Sequence, residues 1–409
     1  MSRHMETPPS LKAATRRMAV VVTAVAVLCS SALTDIHAQT NITVKKTALA
    51  RNPSTNFRKG NLPPKLAAKI AENLRNCGWF DTAATGKPEI TISGGADGRK
   101  AKLQVSRPGA GTSFAVSAPY TARKADAVAK LLVDAILKKL FGVPRLCQSK
   151  IAFCAKTAPT VQEIIICGYD GAGVETITRN HAISLAPDWE PNQRRLLYSL
   201  HGKSSSTFVE YDTASKRSRR LATYPGLNSA PAVSPDGKYF AAVLSKDGAV
   251  DLYVKSLNTR WIKRLTKSKA VEASPCWSPS GAKICFVSNT SGKPRLYVIP
   301  LAGGRAAKLA SLGTEAVAPD WSAKNEIVYS AKMGRNYALV VIDMNGGKPP
   351  RIVISAAGDW ESPSWAPDSR HVVAARTLNG KTGIYVIDTW TGKARRIVSG
   401  KVPLSMPTW

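Results

Sequence analysis

Histidine is the usual proton carrier near neutral pH, and beyond residue 38 this chain holds only three, His181, His201 and His371. General-base chemistry would need one of them beside a serine or cysteine nucleophile and an orienting carboxylate. No Ser/Asp arrangement visible in the sequence accompanies any of them, and each falls near a strand or turn of the repeat described below. Structural roles are therefore expected. Of the seven cysteines, Cys29 lies in the N-terminal apolar run, which leaves Cys77, Cys147, Cys154, Cys167, Cys276 and Cys285. None has the C-x-x-C spacing of a zinc site. An even set in an oxidising compartment permits disulfides, and small buried residues without a covalent role are the alternative. GGADG and PGAG read as turns, because neither has the strand–glycine–helix context of a phosphate loop. No catalytic residue, cofactor or metal is expected.

The charge is the stronger chemical signal. A formal net charge of +31, spread along all 409 residues, favours contact with something anionic: nucleic acid, phosphate-bearing lipid headgroups or an acidic protein face. A solvated basic surface without a ligand is the alternative. Two basic runs stand out, KRSRR at Lys216–Arg220 and TRWIKR at Thr259–Arg264. With 44% hydrophobic and 21% charged residues the composition is globular.

The N-terminus bears on the partner. Arg16 and Arg17 precede the apolar run Met18–Leu33, which has the length of a signal-peptide core and is short for a membrane span. Ile36–Ala38 offers a cleavage site before Gln39, and an uncleaved membrane anchor is the alternative. Cys29 follows the bulky Leu28 and makes a poor lipid-attachment site. Residues 1–38 are thus expected to be a signal peptide, with a soluble exported mature chain that carries no membrane span. Export argues against nucleic acid as the partner. About +29 of the charge remains after cleavage.

An internal repeat sets the architecture. The anchors Trp189, Val233, Trp277, Trp321, Trp365 and Trp409 lie 44 residues apart, and Pro187, Pro231, Pro275, Pro319, Pro363 and Pro407 keep the same step. An apolar strand follows each anchor by 19 residues (Phe208, Leu252, Leu296, Val340, Ile384), and another by 32 (Leu221, Leu265, Leu309, Val353, Ile397). SPDG at Ser234–Gly237 is the clearest turn between anchor and strand. Each unit reads as four short strands, the length of a β-propeller blade. Ile151 to about Asn180 is such a unit without an anchor strand, and the final SMPTW is an anchor strand without its unit. The two fragments complete one blade, so a ring of six blades closed by the C-terminal strand is expected, with no open sheet edge. Within it, Cys154–Cys167 and Cys276–Cys285 are possible cross-strand disulfides.

Residues 39–148 lack the beat. PPKLAAKIAENLRNCGWF places Leu66, Ile70, Leu74 and Cys77 on one helical face after a proline start. KPEITISG, KAKLQVSRP and TSFAVSAPYT read as strands. ARKADAVAKLLVDAILKKLFG places Val128, Leu131, Leu132, Ala135, Ile136 and Leu140 on an amphipathic helix that ends at Gly142. The expected fold class is a small N-terminal α/β domain (39–148) followed by an all-β propeller (149–409).

LAAKIAENLRNCGWF, ILKKLFGVPRLCQSKIAF, YDGAG near Tyr169 and SPDGKYFAAVLSKDGAVDLYVKSLNTRWIKRLT, together with the order leader, small domain, propeller, resemble the TolB family of the Tol–Pal system. The resemblance covers nearly the whole mature chain and implies a monomeric periplasmic protein-binding scaffold. A Pal-like lipoprotein would dock at the propeller. A TolA-like protein would engage the arm Gln39, Thr40, Asn41, Ile42, Thr43 and Val44, and the whole would serve outer-membrane integrity and envelope constriction in cell division. The stretch between Asp81 and Pro88 is compressed, and AKNE (Ala323–Glu326) and PNQR (Pro191–Arg194) lack the full turn. Two other readings stay open: a propeller that binds an anionic envelope ligand, and a peptidase-associated propeller. The latter needs a hydrolase domain with a G-x-S-x-G elbow, and no such domain follows the last repeat fragment.

Overall fold

A computed structural model describes residues 51–97, 99–203 and 205–409. The expected leader and the expected arm Gln39–Val44 lie outside these residues. The N-terminal part comprises β1 (Thr55–Arg58), α1 (Pro64–Asn76), β2 (Ile90–Ala96), β3 (Lys100–Arg107), β4 (Thr112–Pro119) and α2 (Ala125–Phe141). Its sheet runs β1-β2-β3-β4, with β1 parallel to β2 and the other pairs antiparallel. Pro64 opens α1, where a missing N–H costs nothing, and Leu66, Ile70 and Leu74 are wholly buried. Gly142 ends α2 in a left-handed conformation (φ 69°), its N–H bonding to the Lys138 carbonyl at 3.0 Å.

One expected core residue is displaced. The buried stripe of α2 runs through Val128, Ala129, Leu132, Val133, Ile136 and Leu137. That stripe leaves Leu131 at its margin, 43% exposed.

The C-terminal part is a β-propeller, built almost entirely of short antiparallel strands. Four separate four-stranded sheets are β12–β15 (Asn228–Val233, Tyr239–Leu244, Asp251–Ser256, Ile262–Arg264), β16–β19 (Glu272–Trp277, Lys283–Ser288, Arg295–Pro300, Ala307–Lys308), β20–β23 (Ala316–Trp321, Glu326–Met333, Asn336–Asp343, Arg351–Ile354) and β24–β27 (Asp359–Trp365, His371–Leu378, Lys381–Asp388, Ala394–Ser399). One further path holds two more sets of four. The first is β8–β11 (Ile183–Trp189, Arg195–His201, Ser206–Asp212, Arg217–Ala222), and the second is β28 (Leu404–Thr408) with β5–β7 (Lys150–Ala158, Val161–Gly168, Glu175–Thr176). A single parallel bridge, Gln162 to Ile183, joins the two sets.

The chain does close on itself. Strand β28 pairs antiparallel with β5, Leu404 facing Ala155 and Ser405 facing Cys154. The Trp409 indole N–H then donates to Ser149 Oγ at 2.6 Å.

The repeated prolines have a backbone reason. In every innermost strand the pairing skips the two residues before the anchor pair, between 185 and 188 and at each equivalent point. The residue before each proline, Ala186, Ala230, Ser274, Ala318, Ser362 or Met406, adopts φ of 46–50°. Proline has no N–H to lose from the ladder and disfavours the right-handed helical region for the residue before it. A left-handed non-glycine costs roughly 1 kcal/mol, and the bulge recurs six times, once in each innermost strand. The turn after the anchor keeps its shape without glycine. Gln193, Asn325 and Ser369 have φ of 53°, 62° and 51° where Gly237 and Gly281 have 66° and 71°. PNQR and AKNE therefore make the same turn as SPDG.

Candidate functional site

Two constellations of polar side chains tie separate parts of the chain together. The first surrounds the propeller axis. The residue before each anchor is Asp188, Ala232, Cys276, Asp320, Ser364 or Thr408, one per innermost strand. Asp188 Oδ2 accepts the Val233 backbone N–H at 2.7 Å, Asp320 Oδ2 that of Trp365 at 2.6 Å, and Ser364 Oγ that of Trp409 at 3.1 Å. Each bond crosses to the next unit, 45 residues on. The Thr408 hydroxyl donates to Asp188 Oδ1 at 3.4 Å across the point of closure. Asp188, Asp320, Ser364 and Thr408 thus latch neighbouring units together.

The anchors themselves are all at most 9% exposed. The indole N–H of Trp277 donates to the Ala232 carbonyl at 2.8 Å and that of Trp365 to the Asp320 carbonyl at 3.2 Å. Trp321 instead reaches Asn325 Oδ1 at 2.9 Å, within its own unit. The anchor residues serve inter-unit packing, and Val233 supplies the apolar bulk without the indole donor.

Burial pushes the Asp188 carboxyl up to about 7, with the charge of Asp320 adding to it. Burial raises Asp320 as well. A carboxyl whose folded pKa lies above its unfolded value binds more protons in the folded state. Stability from Asp188 is therefore fullest below about pH 4 and is lost as pH rises toward 7. Asp188→Asn keeps an acceptor for the Val233 N–H and removes the buried charge. We expect it to raise unfolding stability at pH 8 by about 1 kcal/mol and to make no difference at pH 4. Urea titrations at the two pH values measure this, and equal stability of the two proteins at pH 8 would refute it.

The second constellation joins the two parts of the chain. Trp79, just after α1, stacks on Phe141 at 5.0 Å and meets Trp390 edge-on at 5.5 Å. Between the indoles of Trp79 and Trp390 lies Arg370, 1% exposed, its guanidinium 4.8 Å and 4.3 Å from the two rings. Arg370 holds Asp388 with two bonds, of 3.1 and 2.7 Å, and donates to Asn52 Oδ1 at 2.8 Å. Asn52 in turn donates to the Gly78 carbonyl at 3.0 Å. Asp368 accepts from the Trp79 indole at 2.9 Å and sits 2.7 Å from His371 Nδ1. Burial acts to raise the Asp368 pKa, but His371 and the Trp79 N–H outweigh it and hold the carboxyl well below the usual carboxylate range. Gly78 is required here: its φ is 71° and a β-carbon would lie 2.4 Å from His371 Nε2. One apolar core runs across this junction, from Leu66, Ile70 and Leu132 to Phe153, Val373 and Trp409.

His371 is thus a junction residue. His201 is buried with no partner for either ring nitrogen, and desolvation lowers its pKa to about 4. His181 is exposed, and its backbone N–H donates to Glu163 Oε1 at 3.3 Å. Among the described residues, no three His, Cys, Asp or Glu side chains gather closely enough to hold a metal ion. No helix among them is long and apolar enough to cross a membrane.

The Cys154–Cys167 pairing requires correction. In the β5–β6 hairpin Cys154 faces Ile164 and Cys167 faces Ile151, three positions out of line. The two thiols consequently join different apolar clusters. Cys276 and Cys285 are direct register partners on β16 and β17, and all six cysteines are free and buried. Desolvation raises the thiol pKa values of Cys77, Cys154 and Cys167 to about 12, and it raises those of Cys147 and Cys276 too. The thiolate is the reactive form. Chain lacking Cys29 should therefore release no thionitrobenzoate from Ellman's reagent within minutes when native, and react stoichiometrically in guanidinium. A fast-reacting thiol in the native protein would show that one of these sites opens.

The model of the family described as TolB beta propeller domain matches residues 137–409. The Tol-Pal system protein TolB of Francisella tularensis subsp. mediasiatica is 30% identical over 148 residues, 34% of this chain and 34% of that protein. Its counterpart in subsp. tularensis is 30% identical over 139 residues, 32% of each chain. The matched stretch thus spans about a third of the length of these curated relatives. TolB from Acinetobacter baumannii is similar in fold, with a TM-score of 0.78 over 88% of this chain and 97% of that one at 21% identity. A putative TolB from Agrobacterium tumefaciens aligns at a TM-score of 0.51 and 15% identity, over 62% of this chain and 89% of that one.

Proposed function

The chain belongs to the TolB β-propeller family, and from that premise we propose that it is a non-enzymatic scaffold of a Tol–Pal system in the periplasm. The propeller, residues 149–409, docks a Pal-like lipoprotein. The N-terminal part, 39–148, presents the arm Gln39–Val44 to a TolA-like protein. The mature protein acts as a monomer after cleavage near Ala38, coupling the two partners for outer-membrane integrity and cell constriction.

The family match over residues 137–409, on a propeller with a small α/β part before it, carries this reading. The junction supports it. Asn52, which follows the expected arm in sequence, is bonded to Arg370 in the propeller. The polar side chains of the two constellations latch units and join domains, roles that call for no substrate.

Crosslinking in intact cells, followed by affinity purification and mass spectrometry, tests the proposal. An outer-membrane lipoprotein with a peptidoglycan-binding domain should be recovered with the full chain and lost when residues 149–409 are removed. Deleting residues 39–44 should abolish only the TolA-like partner. Recovery of neither protein would sink the scaffold reading while leaving the fold untouched.

A further inference from the structure

A small cleft lies at the seam between the sheets β12–β15 and β16–β19. One wall is the connection that leaves β15, residues 265–268, and the other is the face of β16, β17 and β18 that carries Glu272, Phe286 and Tyr297. It holds about 210 Å³, less than the roughly 300 Å³ at which sites for drug-sized ligands begin. Glu272, on the innermost strand, closes its inner end and is 3% exposed. Phe286 and Tyr297 are buried farther out, with ring centroids 6.0 Å apart.

The carboxylate at the inner end is half satisfied. Its Oε1 accepts the Ser268 hydroxyl at 3.0 Å, while Oε2 has no hydrogen bond. Among the described residues, Oε2 is the one buried carboxylate oxygen left in that state. The nearby cations are committed elsewhere. Arg264 pairs with Asp251, and Lys263 donates to the Leu301 and Ala302 carbonyls at 3.1 and 2.7 Å. Lys267 lines the cleft but is exposed and forms no ion pair with Glu272. Burial raises the Glu272 pKa and the charge of Asp251 adds to it, the direction expected of a carboxylate withdrawn from water without a counter-charge. Asp251 and Asp388, also buried, are each matched by an arginine. Glu272 lacks that match.

We propose that this cleft binds a primary ammonium group carried on a short alkyl chain. One open oxygen suits a compact point charge, whereas a guanidinium fork wants two and Ser268 already holds the other. Calcium or magnesium would need several oxygen ligands, and no such group gathers among the described residues. A neutral sugar would leave the buried charge uncompensated. The ammonium sits at Glu272, and its methylenes lie along Leu265 and the rings of Phe286 and Tyr297, which attract a cation. The excess positive charge of the chain does not favour such a ligand, but it is screened beyond about 8 Å at physiological salt. Lys267 is therefore the cation that opposes entry. The ammonium belongs either to a free alkylamine or to a lysine side chain of another protein. The proposal does not depend on the scaffold reading.

Saturation-transfer difference NMR of the full mature chain, titrated with butylamine and with butan-1-ol as the neutral control, reads the site directly. Saturable binding of butylamine is expected, with butan-1-ol weaker by about tenfold or more, since a hydrogen bond to a charged group is at stake. Glu272→Gln should weaken butylamine by a similar factor and leave butan-1-ol unchanged. That variant removes a buried charge without changing shape, so a melting temperature no lower than wild type shows that it is folded. Lys267→Gln, at an exposed position, should tighten butylamine, a change of opposite sign that misfolding cannot mimic. Nα-acetyl-lysine methylamide separates the two sources. If it binds as tightly as butylamine, the site takes a lysine side chain; if it is excluded while butylamine binds, the site takes a free amine. Lack of saturable butylamine binding, equal affinity for butan-1-ol, or affinities that both substitutions leave unchanged would overturn the proposal.

Discussion

Replacing Arg370 by methionine should lower the unfolding stability of the full chain by about 3–5 kcal/mol, the range seen when one partner of a buried ion pair is removed. The guanidinium is 1% exposed and forms a two-bond fork with Asp388 while bridging to Asn52. Methionine replaces the stem but neither the charge nor the five donors. Asp388 is then left buried with its main counter-ion gone, and Trp79 and Trp390 lose the cation sandwiched between them. The cost comes mostly from the stranded carboxylate, so adding Asp388→Asn should recover part of it. Urea denaturation of the wild type, both single variants and the double variant measures the coupling. A loss below about 1 kcal/mol for Arg370→Met, or no recovery in the double variant, would mean the pair contributes little and the apolar core alone holds the junction.

That junction shows where the sequence was silent. Trp79 meets Asp368 and Arg370 across almost three hundred residues, and no spacing rule links a tryptophan in an α/β domain to a blade turn. The only local signal is that Ser369, Arg370 and His371 stand where SPDG has its glycine and the residues after it. The repeat was legible because prolines and tryptophans kept a fixed step, and the step forced a closing strand that the structure contains. Its backbone was not. Ala186, Ser274 and Met406 carry no chemical mark of a left-handed conformation, and Gln193 fills a glycine position without looking like glycine. Hairpin register failed at Cys154 and Cys167 for a related reason. The turn at Pro159–Thr160 is short, and an odd shift in pairing sends one side chain to the opposite face. Cys276 does stand opposite Cys285, on strands that flank the repeat's regular turn.

The largest expected effect lies at the other end of the chain. Deleting Leu404–Trp409 removes β28 and with it the pairing to β5, the Thr408–Asp188 bond and the Trp409–Ser149 bond. Trp409 is 8% exposed, and truncating a buried tryptophan alone costs about 3–5 kcal/mol. The deletion goes further, because it uncovers the edge of β5 along its apolar middle, Ile151 to Cys154. An exposed hydrophobic strand edge is a template for pairing with another chain. The truncated protein should therefore lose cooperative unfolding near the wild-type midpoint and elute as dimers and larger species in size-exclusion chromatography. Trp409→Phe, which keeps the strand and most of the ring while losing only the indole donor, should remain monomeric and lose on the order of 1 kcal/mol. The contrast separates closure from packing. If the deletion variant stays monomeric with an unchanged midpoint, the ring does not depend on its last strand, and the latch from Thr408 to Asp188 is dispensable too.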